Sequence, residues 1–370
     1  MNTPTVLLAG AGHTHALIIA GMARRSWPNA RIVCVSPSAI GTYSGMLPGV
    51  LAGQYRRSQM AFDVARLCRR ARVAFIEDEV VAVDADRRIA VLGRGTRVTY
   101  DVASINLGSG PGSTPGAGEA PVIDIRPMTT FLDRLAGQWR AVHARTPVPH
   151  RHVRIVGGGL AAVELALTIP LYVGRLTPGV RLDISIETRS GDVARHASAE
   201  TRARIRHALA ERDVQVVLTR NIVRDGSVDL VVRATGAAPP RRSAEMGVIT
   251  NDTGYLVVDA SLRTSSRHVF AAGDAAAFTM PSGRPLPKAG VYAVRQAPTL
   301  EHNLRAALEG RPLRVFRPQH SFLTLINTGD GRAIGEWRGK SVEGAWVWKL
   351  KDHIDRRFMR RITVSAEGTV

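Results

Sequence analysis

The sequence predicts an α/β fold in which one strand–glycine turn–helix unit occurs twice. Three observations predict it. The apolar run "TVLLAG" (5–10) leads into Gly12, then into residues 14–24 at helical spacing, then into a second apolar strand, "RIVCVS" (31–36). The same succession returns in "HVRIVGGGLAAVELALTI" (152–169) followed by "RLDISIE" (181–187). After the second unit the strands "YLVVDA" and "HVFAAGD" resume, ahead of a helix over 289–309. The chain therefore reads as two tandem Rossmann-like units with a small C-terminal α+β region.

Between the units, short strands at 73–76, 79–84, 88–92 and 96–100 suggest an antiparallel meander that turns at "DADRR" and "GRGT". The strand "VASINLG" closes this block, and "SGPGSTPGAGEAP" (109–121) has linker composition. The second unit continues with a helix over 198–212, the strand "VQVVLT" and the segment "SVDLVVRATGAAP" (227–239). The last piece, 316–370, reads as a hairpin around "NTGDG" and then a helix. The expected division is 1–115 and 251–315 for the two parts of the first domain, 116–250 for the second domain and 316–370 for the C-terminal region.

Composition narrows the function. The chain has 370 residues, 45% hydrophobic and 22% charged. No apolar run approaches the roughly 18 residues of a membrane span. "TVLLAG" begins too near Met1 to leave room for a signal peptide, so a cytoplasmic protein is expected. Cys34 and Cys68 are the only cysteines, which excludes a cysteine zinc finger and a disulfide scaffold. The net charge of +19 suits an anionic partner, but the basic residues are scattered. With no zinc-finger spacing and no arginine-rich tail, nucleic acid is not the expected partner.

The glycine turns carry the chemistry. Gly10 and Gly12 let the backbone approach a pyrophosphate, and the helix amino end supplies N–H groups and partial positive charge. The third glycine of such a fingerprint only allows close packing, and here His15 replaces it. His13 and His15 also have the spacing of two metal ligands, but no compact His/Asp/Glu cluster completes a site, so no metal is expected. Each histidine is left open between a phosphate contact and local packing. In the second copy Gly157 and Gly159 hold the first two places and Ala162 the third. Glu187 ends the strand that follows, where a carboxylate holds ribose hydroxyls; Ser36 has that place in the first copy. The second site thus reads as NADH-binding, with NADPH disfavoured, although Arg189 lies near enough to meet a 2′-phosphate.

The first fingerprint, "YDVASINLGSGP", the second fingerprint with Glu164, "VVRATGAAP" and "VFAAGDAA" come in one order. In that order they resemble the two-dinucleotide-binding-domain flavoproteins, the pyridine nucleotide-disulfide oxidoreductase superfamily, and within it the type II NADH dehydrogenases. "GHTHA", "SPSAIGTYSGMLPGVLAGQY" and "LPKAGVYAVRQAP" are most similar to FAD-dependent proteins found fused ahead of selenide, water dikinase. The resemblance implies FAD on the first unit, met by Gly10, Gly12, His13, Ser36, Val80, Gly108, Gly273 and Asp274. Ala289, after Lys288, would open a helix whose amino end faces the flavin and favours its anionic reduced form. NADH would meet Gly157, Gly159, Glu187 and Gly236. Glu164, Lys288 and Tyr43 are the expected catalytic residues, with Met46, Pro48 and Tyr292 in the flavin-facing wall.

Disulfide reductases of this superfamily carry a redox cysteine pair after the first helix; "GTYSGMLPG" has none. The expected activity is hydride transfer from NADH to flavin and onward to a quinone-like acceptor. Reduction of selenium or sulfur compounds, and a flavin-bearing binding protein without turnover, are the alternatives. In "WVWKLKDHIDRRFMRRI" (346–362), Trp346, Leu350, Ile354 and Phe358 make an apolar stripe flanked by Lys349, Lys351, Arg356, Arg357, Arg360 and Arg361. Such a stripe suits peripheral docking on an anionic membrane, on its inner face, or packing on the protein's own core. A homodimer stays open.

Overall fold

Two five-stranded sheets, every strand pair in them parallel, dominate the computed structural model, which describes residues 3–112, 120–145, 148–219 and 228–363 apart from Ser26 and Pro28. In the first sheet the order is Val269–Ala271, Val102–Ile105, Thr5–Ala9, Arg31–Ser36, Ala74–Glu77. In the second it is Val122–Asp124, Leu230–Arg233, His150–Val156, Arg181–Thr188, Gln215–Leu218. Central strands of parallel sheets are covered on both faces, and Val6, Leu7, Leu8 and Ala9 are accordingly fully buried. The α/β class with two Rossmann-like units is as expected. Val269–Ala271 returns to the first sheet beside Val102–Ile105, so the chain after the second unit completes the first.

Two sequence expectations change. Ala74–Glu77 does not join the meander; it pairs in parallel with Val33–Ser36 as the edge of the first sheet. The antiparallel meander consists of Val80–Asp84, Ile89–Leu92 and Arg97–Thr99. Met128–Arg145, where no helix is expected from the sequence, forms an 18-residue helix. It buries Phe131, Leu132, Leu135, Trp139 and Val142 on one face, each contributing about 1.5–3 kcal/mol of apolar burial. Residues 113–119 of the expected linker lie outside the described residues.

The C-terminal region has one strand more than the expected hairpin. Thr324–Asn327, Ala333–Trp337 and Lys340–Gly344 form an antiparallel sheet, and the helix Ala345–Thr363 packs on it. That helix also touches His13–Met22, the first helix of the chain, which lies against Gly290–Leu308. The C-terminal helix is thereby drawn into the mouth of the first unit.

Candidate functional site

Parallel strands put all their carboxyl ends on one edge, and ligands of such sheets lie outside that edge. Along the first sheet the edge gathers Gly10, Ser36, Asn106 and Gly273, with Gly12, Gly108 and Asp274 one or two residues on. Along the second it gathers Gly157, Glu187 and the segment leading to Gly236. Most predicted cofactor residues therefore meet on two edges. Val80 stands apart, buried in the meander.

Three helices begin at these edges, at His13, Leu160 and Gly290, and none has a side-chain cap on its amino end. First-turn N–H groups have no partner within their helix. Two helices of the same chain away from the edges are capped: Asp63 accepts from the Arg66 N–H and Ser198 from the Thr201 N–H. A Cβ on Gly108, Gly159, Gly236 or Gly290 would meet no atom within 4 Å. The His15 N–H is met by Asn106 Oδ1 at 3.4 Å, and the donors left over beside free space are what a dinucleotide phosphate requires; the residues fit FAD on the first edge and NAD(P)H on the second.

The two histidines of the first turn part ways. The His13 ring lies edge-on to Tyr43 and Phe358, each with centroids 5.7 Å away, and its Nε2 is 3.3 Å from the Thr42 carbonyl. Its side chain is thus engaged with Tyr43 and with Phe358 of the C-terminal helix. His15 is fully buried between the Gly10 carbonyl, 2.6 Å from Nδ1, and the Ser104 hydroxyl, 2.7 Å from Nε2. Burial lowers its pKa to about 4, so the ring is neutral. Among the described residues no cluster of three or more His, Cys, Asp or Glu side chains has metal-binding geometry.

Asp274 accepts from the Ser109 hydroxyl at 2.9 Å and faces the Arg126 guanidinium at 3.5 Å. Lys288 lies 3.9 Å over the Tyr255 ring and donates to the Ala276 carbonyl; burial pulls its pKa down to about 8 against the opposing pull of Asp274. Lys288 and Asp274 so form one group. The other two predicted catalytic residues, Tyr43 and Glu164, belong to a second group.

That second group is a largely buried polar cluster made by four parts of the chain. The Tyr43 hydroxyl donates to Asp355 at 3.1 Å, and its ring stacks at 4.3 Å on Phe358. Lys351 donates to Asp355 and to the Gly45 carbonyl, both at 2.8 Å. Glu164 accepts from the Asn327 N–H at 2.9 Å, and the Asn327 side-chain amide donates to Gln54 at 2.7 Å. Burial raises the Glu164 pKa to about 7, with Lys351 pulling the other way. Burial likewise pushes Tyr43 and Asp355 upward. Met46 and Pro48 are buried next to this cluster in sequence, and Tyr292 packs edge-on to Phe322.

The stripe expected on the C-terminal helix is only partly a surface. Trp346, Leu350 and Ile354 are 58%, 37% and 38% exposed, but Phe358 is buried on Tyr43. Lys351, read as part of the basic flank, is buried as well. A four-residue step turns a helix by about 40° beyond a full circle, so Trp346 and Phe358 lie about 120° apart. The buried face runs Val347, Lys351, Asp355, Phe358 and Ile362, in steps of four, four, three and four residues, with Met359 beside it. Lys351 and Asp355 escaped the sequence reading because charged residues on a helix are ordinarily solvated. Asn327 and Gln54 carried no local signal.

Comparison with known proteins agrees with this geometry. Demethylphylloquinone reductase NdbB of Synechocystis sp. is 24% identical over 90% of this chain and 86% of its own. The sulfide:quinone oxidoreductase of Aquifex aeolicus has the same fold, with a TM-score of 0.79 at 15% identity over 98% of this chain and 92% of that one. NDH2 of Plasmodium falciparum gives 0.78 at 11% identity over 99% and 98%. No helix among the described residues is long and apolar enough to cross a membrane. The model of the pyridine nucleotide-disulphide oxidoreductase family matches residues 5–297, and the chain belongs to that family of flavin-dependent NAD(P)H oxidoreductases.

Proposed function

We propose that the protein oxidises NADH and passes the electrons through FAD to a quinone-like acceptor without a redox disulfide. The observation that carries this reading is the cluster of half-buried Glu164 and Tyr43 around the buried Lys351–Asp355 pair, beside the first glycine turn. FAD, when bound, supplies two-electron acceptor chemistry between nicotinamide and quinone. A quinone takes two electrons and two protons, whereas a hydride brings two electrons and one proton. The second proton must come from the protein or solvent. A carboxyl with a pKa of about 7, held by Asn327 and linked in charge to Lys351, can hold that proton and be recharged near neutral pH. The Gln54 amide nitrogen is buried and has no hydrogen-bond partner among the described residues, so an acceptor oxygen would satisfy a donor already desolvated.

On this reading residues 1–115 and 251–315 hold FAD through Gly10, Gly12, Ser36, Gly108, Gly273, Asp274 and Ala289, and 116–250 hold the nicotinamide nucleotide. Lys288 and the helix it precedes place positive charge where reduced flavin is anionic. NADH is preferred because the half-buried Glu187, last but one in its strand, lies beside Gly157, whose N–H donates to the Glu187 carbonyl at 2.8 Å. A 2′-phosphate there would meet a carboxylate. The exposed Trp346, Leu350 and Ile354, with Lys349, Arg357 and Arg360 around them, dock the C-terminal helix on an anionic membrane surface.

The test is anaerobic stopped-flow mixing with NADH, followed by a panel of soluble quinones, polysulfide and selenite. Bleaching of the flavin and reoxidation by quinones support the reading. Reoxidation by polysulfide or selenite alone replaces the acceptor, and a flavin that stays oxidised under NADH refutes the activity.

A further inference from the structure

His15, in the third glycine's place, and Asn106, just after the strand Val102–Ile105, are bonded to each other. The His15 N–H donates to Asn106 Oδ1 at 3.4 Å, and both residues are buried. His15 reaches the Gly10 carbonyl through Nδ1 and the Ser104 hydroxyl through Nε2. A carbonyl can only accept, so Nδ1 carries the proton and Nε2 accepts from Ser104. Asn106 donates its own backbone N–H to the Ala9 carbonyl and its side-chain amide to the Ala272 carbonyl, both at 2.8 Å.

Asn106 therefore touches both turns of the first edge. A Cβ on Gly10 would lie 2.5 Å from the Asn106 carbonyl oxygen, and one on Gly12 2.3 Å from Oδ1. One on Gly273 would lie 2.5 Å from Nδ2. Gly273 is held from its other side by Gln296, whose Oε1 accepts its N–H at 2.6 Å. A small residue in the place of Asn106 would leave these glycine turns without a common partner. Here one amide spans them, and the histidine ring fills the packing space that a third glycine leaves.

We propose that His15 and Asn106 form a bracket that fixes the distance between the Gly10–Gly12 turn and the Gly273–Asp274 turn. The bracket selects a ligand that presents a pyrophosphate to one turn and a polyol to the other within a single molecule. This rests on the reading that FAD lies on the first unit. The bracket acts through the two turns and touches no reacting atom, so both are positioning residues. Their effect belongs to the coupling of the ligand's halves rather than to either half alone, because a rigid spacing raises the effective concentration of the second contact once the first is made.

The experiment compares full-length wild type, Asn106→Ala and Asn106→Asp. FAD release is followed by the recovery of flavin fluorescence on dilution, and ADP, which carries the pyrophosphate half alone, is titrated in as the displacing ligand. The expected result is FAD release at least tenfold faster in both variants, with ADP affinity within threefold of wild type. Asn106→Asp keeps the size and the acceptor but turns an oxygen against the Ala272 carbonyl, and it covers the case in which Asn106→Ala does not fold. Equal loss of ADP and FAD affinity means a general structural role and overturns the proposal. Unchanged FAD release in a folded variant overturns it too. A wild type that binds ADP but no FAD overturns the reading of the first unit, and the bracket falls with it.

Discussion

Replacing Lys351 by Met tests the buried cluster at its centre. Lys351 gives two charge-assisted hydrogen bonds at 2.8 Å, to Asp355 and to the Gly45 carbonyl, from a buried position. Without it the Asp355 carboxylate keeps the Tyr43 hydroxyl, and Glu164 loses the cation that opposes its burial. Removing one member of a buried ion pair costs about 3–5 kcal/mol. Asp355 is already pushed upward by burial, so it can take a proton and relieve part of that cost. A loss of about 3 kcal/mol near pH 8 is expected. The sign of its pH dependence follows from the native state binding more protons in the variant. Carboxyls with raised folded pKa values add stability below their unfolded values and lose it as pH rises through the folded ones. The deficit should therefore shrink toward pH 5. Denaturant unfolding of wild type and Lys351→Met at both pH values measures it. In parallel, quinone reduction by wild type should fall as pH rises through about 7, and the variant's limb should lie higher. A deficit under about 1 kcal/mol at pH 8, or a limb that does not move, refutes the cluster as described.

Glu164→Gln should leave flavin reduction by NADH intact but abolish the limb near pH 7 in quinone reduction, read by separating the two half-reactions in stopped flow. Asp274→Ala removes a carboxylate acceptor worth about 1.5–3 kcal/mol, so FAD should bind roughly ten- to a hundredfold more weakly in equilibrium titration. Glu187→Ala should narrow the preference for NADH over NADPH, and a wild type that prefers NADPH would show that Arg189 controls the strand end. Trp346→Ser, Leu350→Ser and Ile354→Ser together should abolish salt-sensitive sedimentation with anionic liposomes while the melting temperature holds. Ending the chain near Gly344 should instead strip Phe358 from Tyr43 and His13 and lower both stability and flavin content, seen by calorimetry and absorbance.

How much of this was legible in the sequence depends on how local each signal is. Buried parallel strands read as unbroken apolar runs, so "TVLLAG", "RIVCVS" and "HVRIV" announced the two sheets without tertiary information. Ala74–Glu77 has the same look as the meander strands after it, and only its parallel register with Val33–Ser36 distinguishes it. The glycine turns were visible because backbone approach demands particular residues. The cluster around Glu164 was not, since Gln54, Asn327 and Lys351 come from three distant segments and none is unusual where it stands. His15 showed as a departure from a pattern; that Asn106 answers it is a contact between residues 91 apart, with no local signal.

The uncapped helix starts at His13, Leu160 and Gly290 also bear on how long the protein survives. A chain that leaves these donors for its ligands ties its folding equilibrium to their supply. Each tenfold rise of free dinucleotide above its dissociation constant adds about 1.4 kcal/mol to the loaded state. In a cell short of flavin, the empty chain would open more often and present cleavable segments to proteases. Abundance of this enzyme would then follow the size of the flavin pool, with no dedicated regulator needed.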